Sequence, residues 1–430
     1  MPGEPSCGGL IDDEARVHSM RYYQGSARLR PRRLLAVSAA AAAAVLLAAT
    51  GCGSSGSSAS GADSKTIKIG LDSVLSGPNT SNGELTNGTV AYLKYINANG
   101  GVNGYKFTWT TADTMSTTAG AYAATTKLIA QNVNAIIGIG TVAIVAVRPK
   151  AASYKIPIML AGDGSNFVPP IKNFFDFAPN FYSVYAGTYR LARQVDGNAP
   201  VGLVYENDAI GIPATKAIPA YAAASDLPGP SASIAVDQTT TDCTPYAGQL
   251  QSSGAKAVVL AASTDVAACV VKAANAIGYS PKWVGDWGLN SASYEEELGS
   301  LFPGQYVIDY QTPVTGSSAA AALFNQQMAK YDPKDLKSSY AEQGWDAGAI
   351  FVDAVNKATA NSQAYTNDAV VNALDTEFKG QPLGLLAGGV VYDDSQHYGV
   401  LSAGVFQTVA GGGEKQVSPF TKLPEPYGAP

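Results

Sequence analysis

The feature that most restricts the fold is an alternation, run through twice, between short apolar β runs and stretches with helical spacing. "TIKIGLDSV" (66–74) reads as a strand, and Leu85, Thr89, Tyr92, Leu93 and Ile96 then recur along one helix face. Asn99-Gly100-Gly101 ends that helix in the manner of a left-handed cap. "YKFTWTT" (105–111) is the next strand; a helix through Leu128, the strand "AIIGI" (135–139), a helix from Val142 to Ser153 and the strand "IPIMLAG" (156–162) follow. Strands apolar on both faces and separated by helices call for a parallel sheet covered by helices on either side.

The rhythm restarts after Tyr185 with "VGLVY" (201–205), "SASIAV" (231–236), "AKAVVLAA" (255–262) and "PKWVGDW" (281–287), each beside a helical stretch. That is a second doubly wound unit. Two further helices are expected at Ala319–Tyr331 and Tyr340–Thr359. The closing stretch "GGVVYDDSQHYGVLSAGVFQTV" (388–409) reads as a β-hairpin with polar turn residues.

The chain ahead of this body is of another kind. Arg28, Arg30, Arg32 and Arg33 precede Leu34–Ala49, which is apolar apart from Ser38. A bilayer-spanning helix needs about 20 apolar residues; this run is shorter and has the charged and apolar regions of an export signal. Ala49-Thr50-Gly51 and then Cys52 resemble a bacterial lipoprotein signal, in which the cysteine is acylated and becomes the new N-terminus. Ala49 stands where that pattern prefers a larger aliphatic residue. Gly53–Ser60 is nearly all Gly and Ser and reads as a flexible tether. Met20-Arg21-Tyr22-Tyr23 makes a more ordinary start than Met1, which leaves Cys7 outside the argument.

Without residues 1–51 the chain has 379 residues, enough for two lobes. It then holds 22 Lys and Arg against 30 Asp and Glu, a net charge of −8. An acidic product without a basic cluster is a poor nucleic-acid binder, since the phosphate backbone demands clustered cations. Cys243 and Cys269 are the only cysteines after Cys52. In an exported chain an even pair is expected to form a disulfide, with two free buried thiols as the alternative. Neither spacing nor histidine partners support a zinc site.

Six segments in register resemble a type I periplasmic binding protein of the branched-chain amino acid branch. They are "VLSGP" (74–78), "YLKYINANGGVNGYKF" (92–107), "KLIAQNVNAIIG" (127–138), "YKIPIMLAG" (154–162), "TDCTPYAGQLQSSGAKAVVLA" (241–261) and "YAEQGWDAGAIFVDAV" (340–355). The resemblance covers about Lys65 to Gln407. It implies two Rossmann-like lobes, α/β in class, joined by three crossovers near Tyr182, Tyr310 and Gly389. Lobe 1 would comprise 65–182 and 311–388, and lobe 2 would comprise 183–310 and 389–415, with 416–430 as a tail. It further implies a small-molecule ligand in the cleft, an ABC permease and ATPase as partners, no cofactor, and a monomer held on the outer face of the membrane through Cys52.

The ligand residues follow from where such folds bind. Ligands sit beyond the carboxyl ends of parallel strands, where helix N-termini offer N–H groups to an oxygen. The loop "GIGTVA" (138–143) offers Thr141, and "AGDGSN" (161–166) offers Gly164 and Ser165, the two loops that grip a carboxylate in the family. Asp163 in that loop would repel an anion unless turned away as a cap. Ile210 in "YENDAIGI" stands where the family usually has tyrosine. After "PKWVG" amino acid binders present a glutamate; here Trp287 takes its place, and Asp286 is a replacement for the lost carboxylate. Ser76, Asn82 and Thr264 complete the candidates, each also readable as a cap or turn residue. Trp109 and Trp345 read as core aromatics.

A hydrolase is the rival class. A serine triad needs a histidine base, and His397 is the only histidine beyond the leader. No G-x-S-x-G elbow occurs, and Asp393-Asp394 and Glu295-Glu296-Glu297 read as solvated charge. The expected function is therefore capture of a small polar solute, an amino acid or related amide or carboxylate, for uptake by lobe closure. The alternative is a membrane-tethered receptor that signals without transport.

Overall fold

A computed structural model describes residues 65–429; the leader, Cys52 and the Gly/Ser tether lie outside the described residues. Lobe 1 opens with β1 (Lys65–Ser73), a 3-10 turn at Thr80–Gly83, α1 (Glu84–Ala98), β2 (Tyr105–Asp113), α2 (Thr118–Ala130) and β3 (Ala135–Ile139). It continues with α3 (Thr141–Val147), α4 (Ala151–Tyr154), β4 (Ile158–Ala161) and β5 (Phe174–Pro179). The expected helix over 142–153 is broken. Pro149 lacks an N–H and its ring clashes with the preceding turn, so Arg148–Lys150 tightens into a 3-10 turn between α3 and α4.

The chain leaves lobe 1 at Asn180, whose side chain accepts from Tyr182 N and caps α5 (Phe181–Val195). Lobe 2 follows with β6 (Val201–Glu206), α6 (Ile212–Ala224), β7 (Ala232–Val236), α7 (Thr244–Ser252), β8 (Ala257–Ala261), α8 (Thr264–Ala276), β9 (Lys282–Asp286), α9 (Ala292–Leu298) and β10 (Tyr306–Asp309). After Asp309 the chain returns to lobe 1 with α10 (Ala319–Tyr331), α11 (Ser339–Ala358), α12 (Asn367–Glu377) and β11 (Tyr398–Val400). It closes with β12 (Ser402–Thr408) and β13 (Glu414–Lys422).

Two sheets result. The first is ordered β11-β5-β4-β3-β1-β2 and is parallel throughout. The second is ordered β13-β12-β10-β9-β8-β6-β7; its strands from β6 to β10 are parallel, and β12 and β13 run antiparallel at one edge. β3 and β8, interior strands of their sheets, are buried at every residue, as expected of strands covered on both faces.

The closing hairpin expected over 388–409 does not form. Tyr398–Val400 pairs in parallel with β5 in the first sheet, and Ser402–Thr408 pairs with β10 in the second, so the chain crosses at Leu401 and not near Gly389. The hairpin at this end is β12–β13, which makes a strand of the first part of the expected tail, through Lys422. The rule that defeats the local reading is that β partners are chosen by the sheets already present, however distant in sequence.

α11 is the hub of lobe 1. It lies against α1 so closely that a Cβ on Gly88 would come 1.8 Å from Ala341 O, and one on Gly344 would come 1.8 Å from Leu85 O. Thr89 Oγ1 donates to Gly344 O across the same contact at 2.9 Å. Trp345 is 1 % exposed in that core and meets the Tyr92 ring edge-on at 4.8 Å, while Trp109 is half-buried on β2. In lobe 2 the Cys243–Cys269 disulfide forms, tying the residue before α7 to α8.

Candidate functional site

The carboxyl ends of β3 and β4 in one sheet and of β8 and β9 in the other point at a common cleft. A cavity there holds about 470 Å³ of unfilled space, part of it open to solvent. From lobe 1 come Asn82, Ile139, Gly140, Thr141, Ala161 and Gly162, and from lobe 2 Phe181, Ile210, Ala262, Ser263, Asp286 and Trp287. Tyr340 and Gln343, one turn apart on α11, complete the wall.

Two helices begin at this wall without a side-chain cap. Gly140 precedes α3 and has none to offer. Ser263 precedes α8, and its hydroxyl turns away to donate to Glu206 Oε2 at 2.5 Å, with Ser263 N donating to the same oxygen at 2.9 Å. The first-turn N–H groups of both helices therefore face the cleft with no cap from their own chain.

Asp286 is 8 % exposed and its Oδ1 accepts from Gly288 N at 2.9 Å. Burial pushes its carboxyl up to about 6. Glu206, behind Ser263, is pushed up to about 7 by burial and by Asp208 beside it. No Lys or Arg lines the cavity. Trp287 is 4 % exposed and stands edge-on to Tyr310 at 5.0 Å, with Phe181 at 5.9 Å, so the cleft has an aromatic side. Gln343 is fully buried, and neither its Nε2 nor its Oε1 has a hydrogen-bond partner among the described residues.

The cleft is closed by hydrogen bonds between the lobes. Ser81 and Thr264 hydroxyls lie 2.8 Å apart, and Asn79 N donates to Asp265 Oδ2 at 2.8 Å. Glu84, the first residue of α1, accepts from Ala292 N at 3.3 Å, from Ser293 N at 3.1 Å, from Ser293 Oγ at 2.7 Å and from Ser338 Oγ. A carboxylate receiving four donors from two lobes is a strong clasp.

Of the residues expected to meet ligand, Asn82, Thr141, Ile210, Asp286 and Trp287 line the cavity. The other four do not. Ser76 is exposed and donates to Asp113 Oδ2 at 2.6 Å. Gly164 is packed under Tyr398, where a Cβ would come 2.7 Å from the Tyr398 Cβ. Ser165 is held by Asp163, which accepts from its N at 3.0 Å and its Oγ at 2.6 Å. Asp163 is thus a buried cap turned from the cleft, its carboxyl raised by burial. Thr264 is spent on Ser81 at the cleft mouth. The wall also holds Phe181, Ser263, Tyr340 and Gln343, which are not among the residues expected from sequence. The i, i+3 spacing of Tyr340 and Gln343 was the one signal for the α11 pair.

His397 is 2 % exposed and stacked on Phe175 at 4.4 Å, with Nδ1 against Phe174 O at 3.0 Å and Nε2 3.2 Å from Asp375 Oδ1. It serves the lobe 1 core. Among the described residues no group of side chains has the makings of a metal site, and no helix is long and apolar enough to cross a membrane.

The family described as periplasmic binding protein matches residues 66–412. Among solved structures, the chain is similar to a fatty acid ABC transporter substrate-binding protein from Thermomonospora curvata, at 20 % identity over 86 % of this chain and 96 % of that one, TM-score 0.74. It is similar to a branched chain amino acid ABC transporter protein from Thermus thermophilus with bound valine, at 17 % identity over 83 % and 97 %, TM-score 0.74. It also resembles a solute binding protein of an ABC transporter from R. palustris in complex with 4-hydroxybenzoate, at 17 % identity over 84 % and 98 %, TM-score 0.71. No curated protein matches. At these identities the likeness to solved structures establishes the fold.

Proposed function

The chain belongs to the periplasmic binding protein family, whose members bind solutes and are not enzymes, and from that premise we propose that it is the solute-capturing lipoprotein of an ABC uptake transporter. The observation that carries this is the cavity itself: Thr141 at the start of α3 and Asp286-Trp287 at the end of β9 face one space from opposite lobes. A solute touching both lobes binds the closed state better than the open one, and that difference in affinity drives closure. The closed form is what a permease recognises.

Acylation of Cys52 would hold the protein on the outer face of the membrane, with residues 53–64 as the tether. The ligand is a small polar solute, an amino acid or a related amide or carboxylate. An ammonium or N–H group would meet Asp286, an oxygen would meet the first turn of α3 or α8, and an apolar portion would lie against Trp287 and Phe181.

The test is thermal unfolding of protein stripped of carried ligand by unfolding and refolding, against amino acids, short amides, monocarboxylates, polyamines and sugars. A ligand present at about 100 times its dissociation constant adds about 2.7 kcal/mol of stability. A shift confined to one chemical class, abolished in Trp287→Ala, supports the reading. A well-folded protein that responds to none of them removes it.

A further inference from the structure

The solute-binding reading leaves the ligand's chemistry open, and Gln343 narrows it. Its side chain projects from α11 into the cavity wall, fully buried, with both amide atoms unpartnered among the described residues. Two other polar residues of the same helix are paired: Ser339 Oγ donates to Trp287 O at 2.5 Å, and Asp346 accepts from Leu385 N at 2.6 Å and Gln311 Nε2 at 2.9 Å. A buried amide without partners costs stability that a methionine or leucine of similar size would not. A glutamine in that position is explained by a ligand that pairs with it.

We infer that the solute carries a carboxamide or urea-type group, whose adjacent N–H and C=O meet Oε1 and Nε2 of Gln343. The inference rests on the solute-binding reading and specifies its ligand. A carboxylate only accepts, so it would satisfy Nε2 and leave Oε1 bare; an ammonium only donates, and leaves Nε2 bare. A planar amide edge offers a donor and an acceptor side by side. The rest of the cavity agrees. With Asp286 in the wall, Glu206 behind Ser263 and no Lys or Arg among the lining residues, a free carboxylate meets no cationic side chain and only the partial charge of the α3 and α8 N-termini, while a neutral amide needs no countercharge. Trp287, Phe181 and Tyr340 then hold whatever apolar body the amide is attached to.

The experiment uses matched pairs on the refolded full chain: benzamide and benzoate, nicotinamide and nicotinate, isobutyramide and isobutyrate, leucinamide and leucine, with urea added. Calorimetry should show at least one amide binding more tightly than its acid by about tenfold, the worth of one well-made hydrogen bond. Gln343→Met should weaken that amide by a similar factor while the ligand-free melting temperature stays level or rises, since two unpaired buried atoms are gone. Gln343→Leu, which keeps a similar volume and loses both polar atoms, should weaken the amide as well. Binding of acids or amino acids without amides overturns the inference and leaves the solute-binding reading standing, and so does an amide affinity indifferent to Gln343→Met. If no probe of any class binds the folded protein, both are overturned.

Discussion

The hydroxyls of Ser81 and Thr264, 2.8 Å apart, join the 3-10 turn of lobe 1 to the first residue of α8 in lobe 2. A buried hydrogen bond is worth about 1 kcal/mol net, so Ser81→Ala or Thr264→Val should shift the closed-to-open ratio about fivefold toward open. Small-angle scattering of ligand-free protein reads this as a larger radius of gyration. The double variant should add little beyond either single one, because the pair is one interaction. Additive effects would mean that the contact does not hold the lobes.

Glu84 should matter more. It gathers Ala292 N, Ser293 N, Ser293 Oγ and Ser338 Oγ on one carboxylate, and hydrogen bonds to a charged group are worth about 1.5–3 kcal/mol. Glu84→Gln turns one acceptor into a donor facing donors. Ligand affinity should fall by about tenfold or more, because a less populated closed state lowers apparent affinity in proportion. An unchanged dissociation constant would contradict it.

Acidification should stabilise the fold over the neutral range. Burial raises Asp72 from 3.8 to about 7 and Asp346 from 3.8 to about 8. Folded pKa values above the unfolded one mean that the native state binds more protons. The stability they supply is present in full below about pH 4 and is lost as pH rises through 7 and 8. From these two groups the melting temperature should fall as pH rises from about 4 to about 8. Asp346→Asn should flatten the upper part of that curve. Gln311 can accommodate it by turning its amide, since its Oε1 has no partner and can accept from the new side chain.

The Cys243–Cys269 bond closes a separation of 26 residues within lobe 2. A crosslink of that span stabilises by about 3 kcal/mol through the unfolded chain. Cys243→Ala with Cys269→Ala, or reduction, should lower the melting temperature by several degrees. Ligand affinity at 25 °C should stay within about twofold, as neither cysteine lines the cavity. A loss of binding at a temperature where the protein stays folded would mean that the bond shapes the site.

Gly344→Ala and Gly88→Ala should each destabilise lobe 1 by at least 1–3 kcal/mol, the range for overpacking. The obstacle in each case is a backbone oxygen 1.8 Å from the new Cβ, which no rotamer change can move. Chemical unfolding reads the loss. An alanine tolerated at either site would show that the helices can separate.

What could be read from the chain followed locality. β3 and β8 were legible because a strand buried on both faces is apolar at every position, and α10 was found over Ala319–Tyr331, its observed extent. β5 escaped notice because Asp176 and Pro179 interrupt "FFDFAP". Asp176 stays buried there by accepting from Ala178 N at 2.8 Å. The site divided the same way. Asp286, Trp287 and Thr141 stand at strand ends, where topology alone aims residues at the cleft. Ser76, Ser165 and Thr264 have hydroxyls that suit a cap or a neighbour as well as a ligand, and tertiary contacts decided among these. Gln343 lies inside a helix, where a polar residue reads as solvent-facing until both lobes close over it.

The crossing at Leu401 has a consequence for how the protein is made. β11 completes the first sheet beside β5, and β12 completes the second beside β10. Until residues 398–422 have left the ribosome, each half-built sheet keeps an unpaired strand edge, the kind of edge that recruits other chains. Neither lobe can finish ahead of the other. A nascent chain of this topology stays incompletely folded to its last stretch, a useful state for a polypeptide that must be threaded through a membrane before it takes shape.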